Sequence, residues 1–401
     1  MKPLSSKVAK AEASQTLALT ALAKKLRAEG KDVVSLTAGE PDFPTPVHIK
    51  RAAMNAIEAN HTKYTVNAGI PELRKAIAEK LQRDNNLTFE PPQILVSNGA
   101  KHSIFNTLAA ICNKGDEVII PAPYWVSYPE MVKLVDAKPV IVNTTEKNDF
   151  KMTAAQLRRT ITKKTKALIF NSPSNPTGSV YSREEIEELA RILHKSEVYV
   201  IADEIYEKVI YDNMTHFSIG SIPEMKDLTI TVNGVSKAYS MTGWRIGYLG
   251  ASKEITAAAE KVQSQMTSNA SSISQYAALA ALTGPNDDVT AMTEEFCRRR
   301  EFIYNAVTSI EGITCVKPKG AFYLFPNVSA YFGKKFNGTA IKSANDLAQF
   351  LIAEEQVVTV PGGGFGAKNC LRMSYACSMQ ELEKAAERLS RGLKKLLNTK
   401  H

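Results

Sequence analysis

Short apolar runs rich in β-branched residues alternate with amphipathic stretches over most of the chain. The runs at 94–97, 117–120, 138–142, 167–171, 198–203, 229–233 and 246–249 predict seven strands, while 101–112, 154–161 and 183–194 carry apolar positions at helical spacing. Strands separated by helices need crossover connections, which predicts a mainly parallel sheet covered on both faces. Ahead of this block, 18–29 predicts a helix ended by Gly30, and 33–36 a short strand running into the turn Gly39-Glu40-Pro41-Asp42-Phe43-Pro44.

A breaker cluster, Thr283-Gly284-Pro285-Asn286-Asp287, interrupts the pattern. Beyond it a long charged helix is predicted over 289–309, then strands at 314–317, 321–325, 357–360 and 370–374, and a closing amphipathic helix over 380–397. The reading is an α/β protein with an N-terminal arm and part of a small domain at 1–48, a large domain at 49–285 and a smaller α+β domain at 286–401.

Composition narrows the function classes. The 50 Lys and Arg exceed the 41 Asp and Glu by nine, but the signs are interleaved, and Arg298-Arg299-Arg300 is followed at once by Glu301. That favours a solvated helix face over a nucleic-acid patch, and a preference for small anions. The five cysteines form no C-x-x-C pair and have no histidine at ligand spacing, which predicts reduced thiols and no metal site. With no apolar leader and no long apolar run, a cytoplasmic protein outside the membrane is expected. There is no phosphate loop of the G-x-x-x-x-G-K-[ST] type. Gly362-Gly363-Gly364-Phe365-Gly366-Ala367 imitates a dinucleotide fingerprint, but a strand pattern rather than a helix follows it.

Chemistry gathers at strand ends, where open α/β sheets bind ligands. After the run ending at 233 comes Ser236-Lys237, with Arg245 eight positions on. Lys237 alone reads as readily as a surface lysine, yet in a protected site it is an amine nucleophile able to form a Schiff base. Asp203 ends another strand with Tyr206 three residues later, suited to pairing with a cationic nitrogen and to donating to a phenolate oxygen. Asn175 lies between two prolines in Asn171-Ser172-Pro173-Ser174-Asn175-Pro176-Thr177-Gly178, a rigid loop or a plain turn. Gly99-Ala100-Lys101 opens a helix and would let backbone N–H groups approach a phosphate. Trp125 offers a flat face for stacking. Arg372, in a half-buried strand pattern, needs a carboxylate, either internal or a ligand's.

In this order the segments resemble the class I aminotransferases of pyridoxal-phosphate fold type I, and most closely the bacterial aspartate aminotransferase branch. The specific pieces are Ala38-Gly39-Glu40-Pro41-Asp42-Phe43, Pro123-Tyr124-Trp125-Val126-Ser127-Tyr128, the Asn171–Gly178 loop, Ser236-Lys237 with Met241-Thr242-Gly243-Trp244-Arg245, and Arg372-Met373-Ser374-Tyr375-Ala376. The resemblance implies that Lys237 holds pyridoxal 5'-phosphate covalently and moves the substrate proton. It implies that Asp203 keeps the ring nitrogen protonated, that Asn175 and Tyr206 bond the phenolate oxygen, and that Trp125 stacks on the ring. Gly99, Ala100, Lys101, Ser236 and Arg245 would hold the phosphate, joined by Tyr64 of a second subunit in a homodimer. Arg372, Asn175 and Gly39 would bind the substrate α-carboxylate, while Lys101 and Thr16, with Trp125, would meet its side chain.

The reaction so implied is transfer between aspartate and 2-oxoglutarate by alternating half-reactions on amino acids and 2-oxo acids. Prephenate, aromatic or broad specificity is the alternative, and a C–S lyase on the same fold a second. Some relatives carry lysine where this chain has Glu12, which disfavours an acidic side chain unless Lys10 substitutes. A ligand-sensing regulator of this fold would need a DNA-binding domain, and none is expected before Gly39.

Overall fold

The computed structural model describes residues 5–9, 12 and 15–398. Its fourteen strands are β1 Val34–Ser35, β2 Ile94–Ser97, β3 Glu117–Ala122, β4 Lys138–Asn143, β5 Thr165–Asn171, β6 Tyr199–Asp203, β7 Thr229–Gly234, β8 Gly247–Gly250, β9 Tyr323–Leu324, β10 Lys335–Phe336, β11 Thr339–Ala340, β12 Val357–Val358, β13 Val360–Pro361 and β14 Leu371–Ser374. Strands β2 to β8 form one seven-stranded sheet in the order β2-β8-β7-β6-β5-β3-β4. All seven predicted runs lie in it. Strand β8 runs antiparallel to both its neighbours, while the pairs from β7 to β4 are parallel.

Buried apolar side chains of the sheet, such as Val118, Ile120, Ile169, Ile201 and Val232 on one face and Ile119, Leu168, Val200 and Ala202 on the other, pack into separate clusters. Burial on both faces explains why these strands read as continuous apolar runs. The helices Ala100–Ile111, Ala154–Thr160 and Arg183–Lys195 occur within a residue of expectation. Arg183–Lys195 begins with a capping box between Ser182 and Glu185.

A second core joins Val34 and Leu36 to Phe296, Phe322, Tyr323, Tyr331, Leu351, Met373 and the face of the last helix, Met379–Asn398. Here β13, β14 and β9 form an antiparallel sheet, and β1 pairs in parallel with β12, which ties the start of the chain to its far end. The sequence overextended these strands. The predicted strand at 314–317 keeps a single bridge, Thr314 to Asn327, and the run 321–325 is cut to two residues, with Ala321 at a positive φ of 55° ahead of them. The G-x-G-x-x-A stretch forms a single 3-10 turn, Gly362–Phe365, that leads to β14 without an α-helix.

One glycine fixes how closely the sheet approaches the first turn of the helix Ala100–Ile111. A Cβ on Gly247 would lie 2.2 Å from the backbone nitrogen of Ala100, and neither strand nor helix can yield that much without shifting. Gly247→Ala is expected to cost roughly 1–3 kcal/mol, the range for overpacking, measured as a lower midpoint in urea unfolding. An unchanged midpoint would show that the contact relaxes freely.

Candidate active site

The carboxyl ends of β2, β3, β5, β6 and β7 open onto one cavity of about 920 Å³. Thr16, Gly39, Ala100, Lys101, Trp125, Asn175, Asp203, Tyr206, Ser236, Lys237, Arg245 and Arg372, each expected from sequence, all line it. Gly99 does not line it but packs against Arg245, which does. Two positions are not brought in. Tyr64 is 92% exposed and does not line the cavity. Glu12 is exposed, and its backbone N–H donates to Glu130 at 3.1 Å, whereas Lys10 lies outside the described residues.

Asp203 ends β6 in register with Asn171 of β5, whose side-chain amide donates to the Asp203 carbonyl at 2.9 Å. Its carboxylate is buried and receives the Tyr128 hydroxyl at 2.6 Å and the Ile205 N–H at 3.3 Å. Burial raises its pKa to about 6 in spite of those donors. A carboxylate in that state gains most from a cationic N–H placed against it. Behind it, Glu204 and Glu207 are buried beside His216 and Lys80, with Asn85 and Ser218 completing the network. Glu204, Glu207 and His216 could also group around a metal ion, but Lys80 already bonds Glu207. The network anchors the turn between Asp203 and Tyr206.

Lys237 follows β7 and donates to the carbonyl of Gly39. Its side chain is partly accessible to the cavity, yet protein surrounds it deeply enough for desolvation to dominate. Its pKa falls to about 8, with Arg245 and Arg372 adding to the fall and Glu40 and Asp203 opposing it. An ammonium so weakened supplies free amine near neutral pH. Its nitrogen lies 5.7 Å from the ring centre of Tyr206.

Arg372, on β14, is fully enclosed. Its guanidinium donates to Asn175 Oδ1 at 3.1 Å and the Thr37 carbonyl at 2.9 Å, and its Nε has no partner. It stands over the rings of Tyr323 and Phe365 at 4.5 and 5.1 Å. Among the described residues it has no carboxylate within ion-pair distance, so the internal salt bridge that sequence left open is absent. A buried cation that lines a cavity and has no acid beside it is built for an anionic ligand.

At the opposite wall Gly99 adopts φ 89° before the helix Ala100–Ile111, whose first N–H groups lack acceptors within the helix. A Cβ on Gly99 would strike the Arg245 guanidinium at 2.2 Å. Arg245 is held by the carbonyls of Thr242 and Asn98 at 2.8 and 3.2 Å. Lys101 lies over Trp125, 4.7 Å from its ring centre. This is a cup for a phosphate-sized anion, made from a helix start and two cations. A flat heterocycle between cup and Asp203, with an aldehyde toward Lys237, suits these groups, so the residues present fit pyridoxal phosphate.

Sequence reasoning missed Tyr128 and Tyr323. Tyr128 stood inside the quoted Pro123–Tyr128 segment but only a partner for Asp203 reveals its role. Tyr323 sat in an apolar strand pattern and carried no local signal. It lines the cavity, with its hydroxyl 2.9 Å from that of Tyr206.

A crossover α/β sheet with an amine, an acid and an anion cup at its strand ends defines a transferase of the pyridoxal-phosphate kind, and the chain belongs to the aminotransferases of class I and II, whose family model matches residues 31–389. Within that family it is similar to the aspartate aminotransferases. The aspartate aminotransferase of Bacillus sp. (strain YM-2) is 49% identical over 95% of this chain and 96% of its own. The probable aspartate/prephenate aminotransferase of Rickettsia conorii is 46% identical over 98% of each. The crystal structure of the aspartate aminotransferase from Rhizobium meliloti superposes with a TM-score of 0.96 at 43% identity, covering 99% of this chain and all of that one.

Proposed function

We propose that the protein transfers the amino group of L-aspartate to 2-oxoglutarate, with pyridoxal 5'-phosphate held at Lys237. The observation that carries this is one cavity holding an amine of lowered pKa, a buried acid and a buried guanidinium without a carboxylate. When bound, the cofactor would act as an electron sink for the carbanion left at the substrate Cα. The chain's residues do the rest. Gly99, Ala100, Lys101, Ser236 and Arg245 hold the phosphate, Trp125 covers the ring, and Asp203 keeps its nitrogen cationic. Asn175 and Tyr206 donate to the phenolate oxygen. Arg372, Asn175 and the Gly39 N–H fix the α-carboxylate, which aims the Cα–H bond at the Lys237 nitrogen, the group that moves the proton. Lys101 and Thr16 meet the side-chain carboxylate. The Thr16 hydroxyl is buried without a partner, in keeping with a ligand acceptor.

Incubation with aspartate and 2-oxoglutarate is expected to yield oxaloacetate and glutamate. Pyruvate and ammonia from cystathionine, without oxaloacetate, would overturn the proposal in favour of a lyase. Prephenate is the second reading, favoured by Thr16 in the cavity and by the name of the Rickettsia relative, and opposed by Glu12.

The same proposal includes a division into a large domain, 49–285, and a small one from 1–48 and 286–401, the cavity lying where they meet. It includes a homodimer, supported by the exposed Val47, Met54 and Ile57 on one helix and by Tyr64 and Val66 after it. It includes a cytoplasmic setting, supported by five unpaired cysteines, of which Cys370 is buried and the others half-buried. Among the described residues no helix is long and apolar enough to cross a membrane.

Two outcomes test the site. Capture of pyridoxal phosphate by the empty protein needs the free amine, so its rate should rise with pH and level off above about 8, where an ordinary lysine would still be climbing toward about 10.4. Stopped-flow absorbance reads this, and a rate still climbing at pH 9.5 would contradict the lowered value. Tyr128→Phe removes a donor that lowers the pKa of Asp203, leaving more of the acid neutral. Cofactor affinity should drop about tenfold, the effect of losing one bond to a charged group. Titration of the empty protein by absorbance would show an unchanged affinity if Tyr128 has no such part.

A further inference from the structure

Tyr323 and Tyr206 are buried neighbours, one from β9 and one from the turn after β6. Their hydroxyls are 2.9 Å apart, and neither has another hydrogen-bond partner among the described residues. One proton fills the shared bond. The other must point into the cavity, because a buried hydroxyl proton without an acceptor is costly.

The proposed function decides which proton it is: Tyr206 gives its own to the cofactor's phenolate oxygen, so Tyr323 donates in the shared bond. The Arg372 guanidinium stands 4.5 Å from the Tyr323 ring centre, and its charge draws both hydroxyls toward ionisation. Donation and acceptance at one hydroxyl strengthen each other. The groups facing Tyr206 are Tyr323, Arg372, Asp203 and, over its ring, Lys237.

We propose that Tyr323 is a positioning residue that bears the Arg372 guanidinium on its ring and donates its hydroxyl to Tyr206, coupling carboxylate binding at Arg372 to the hydrogen bond made with the cofactor's phenolate oxygen. This rests on the function proposed above. A carboxylate on Arg372 neutralises the charge that polarises Tyr323, so Tyr206 becomes a weaker donor and the bound cofactor holds its proton more tightly. The linkage is reciprocal, and it raises proton affinity at the moment substrate arrives.

The test uses cofactor-loaded protein and follows the pH midpoint between its absorbance bands near roughly 430 and 360 nm, an expectation from the cofactor's chemistry. Tyr323→Phe keeps the ring and removes the hydroxyl. Its midpoint should move up by about half a unit or more, the scale of one lost neutral hydrogen bond. The further rise produced by maleate, a dicarboxylate without an amine, should be smaller than in the parent protein. KM for aspartate should stay within about threefold, because Arg372 keeps its seat. In a Tyr206→Phe background the same change should leave the midpoint where it is, since the hydroxyl acts through Tyr206. A midpoint unmoved by Tyr323→Phe, or moved equally with and without Tyr206, overturns the inference while the function stands. A parent protein without any pH-dependent bands overturns the function itself.

Discussion

Lys237→Ala is expected to lower transamination by about 10⁴-fold or more, the largest loss of any single change, because this side chain serves as both covalent anchor and proton carrier. The neighbours are poor substitutes: the amine of Lys101, also lowered by burial, lies over Trp125 at the anion cup. Arg245 and Arg372 are cations that cannot give up a proton, Asp203 is bonded to Tyr128 at the far end of the ring site, and Glu40 is held by Thr242 at 2.7 Å. The fold should survive, since the amine makes one hydrogen bond, to Gly39, and removing it relieves a desolvated charge. The checks are oxaloacetate production, circular dichroism, and borohydride reduction followed by peptide mapping. Borohydride should label position 237 in the parent protein and nothing in the variant. A variant retaining a hundredth of the activity would show that the amine is dispensable.

How much of this was legible beforehand follows from what sequence encodes locally. Six strands of the large sheet were readable because both faces are buried, which writes an unbroken apolar run bounded by turn residues, while the more exposed edge strand β4 was marked by its β-branched Val140-Ile141-Val142. Asp203, Asn175 and Lys237 could be singled out because Asp203 ends such a run and the other two lie four residues beyond one. Less was readable where contact depends on distant segments. Strands were expected at 33–36 and 357–360, but the pairing of β1 with β12 joins positions more than 300 residues apart, and no local pattern marks it. Tyr323 is one aromatic among several in Phe322-Tyr323-Leu324-Phe325, and only the fold reveals that its hydroxyl meets Tyr206. Arg372 was half legible. Its charge within a strand pattern announced a partner, but whether that partner was internal or a ligand took the three-dimensional arrangement to decide.

Arg372→Met should separate function from stability. In the ligand-free protein the guanidinium is buried with two carbonyl-type acceptors, two aromatic faces and a free Nε, but no negative charge. Enclosing an ion costs several kcal/mol, and bonds to neutral acceptors and ring faces return only part of it. Methionine fills similar volume without that cost, and water in the cavity can satisfy Asn175 and Thr37 in its place. Unfolding free energy of the empty protein should therefore rise by about 1–2 kcal/mol, read as an increase in Tm of a few degrees. Meanwhile kcat/KM for aspartate should fall about 10³-fold, the usual cost of deleting one partner of a buried charge pair. Maleate should raise the Tm of the parent protein and not of the variant, since a ligand stabilises only the form that binds it. A variant that is both inactive and less stable would mean that Arg372 is a strut of β14 and not a seat for carboxylate. Higher stability with lost binding would instead show that the fold holds this cation at a loss until substrate arrives, as is common where sites are built for ligands.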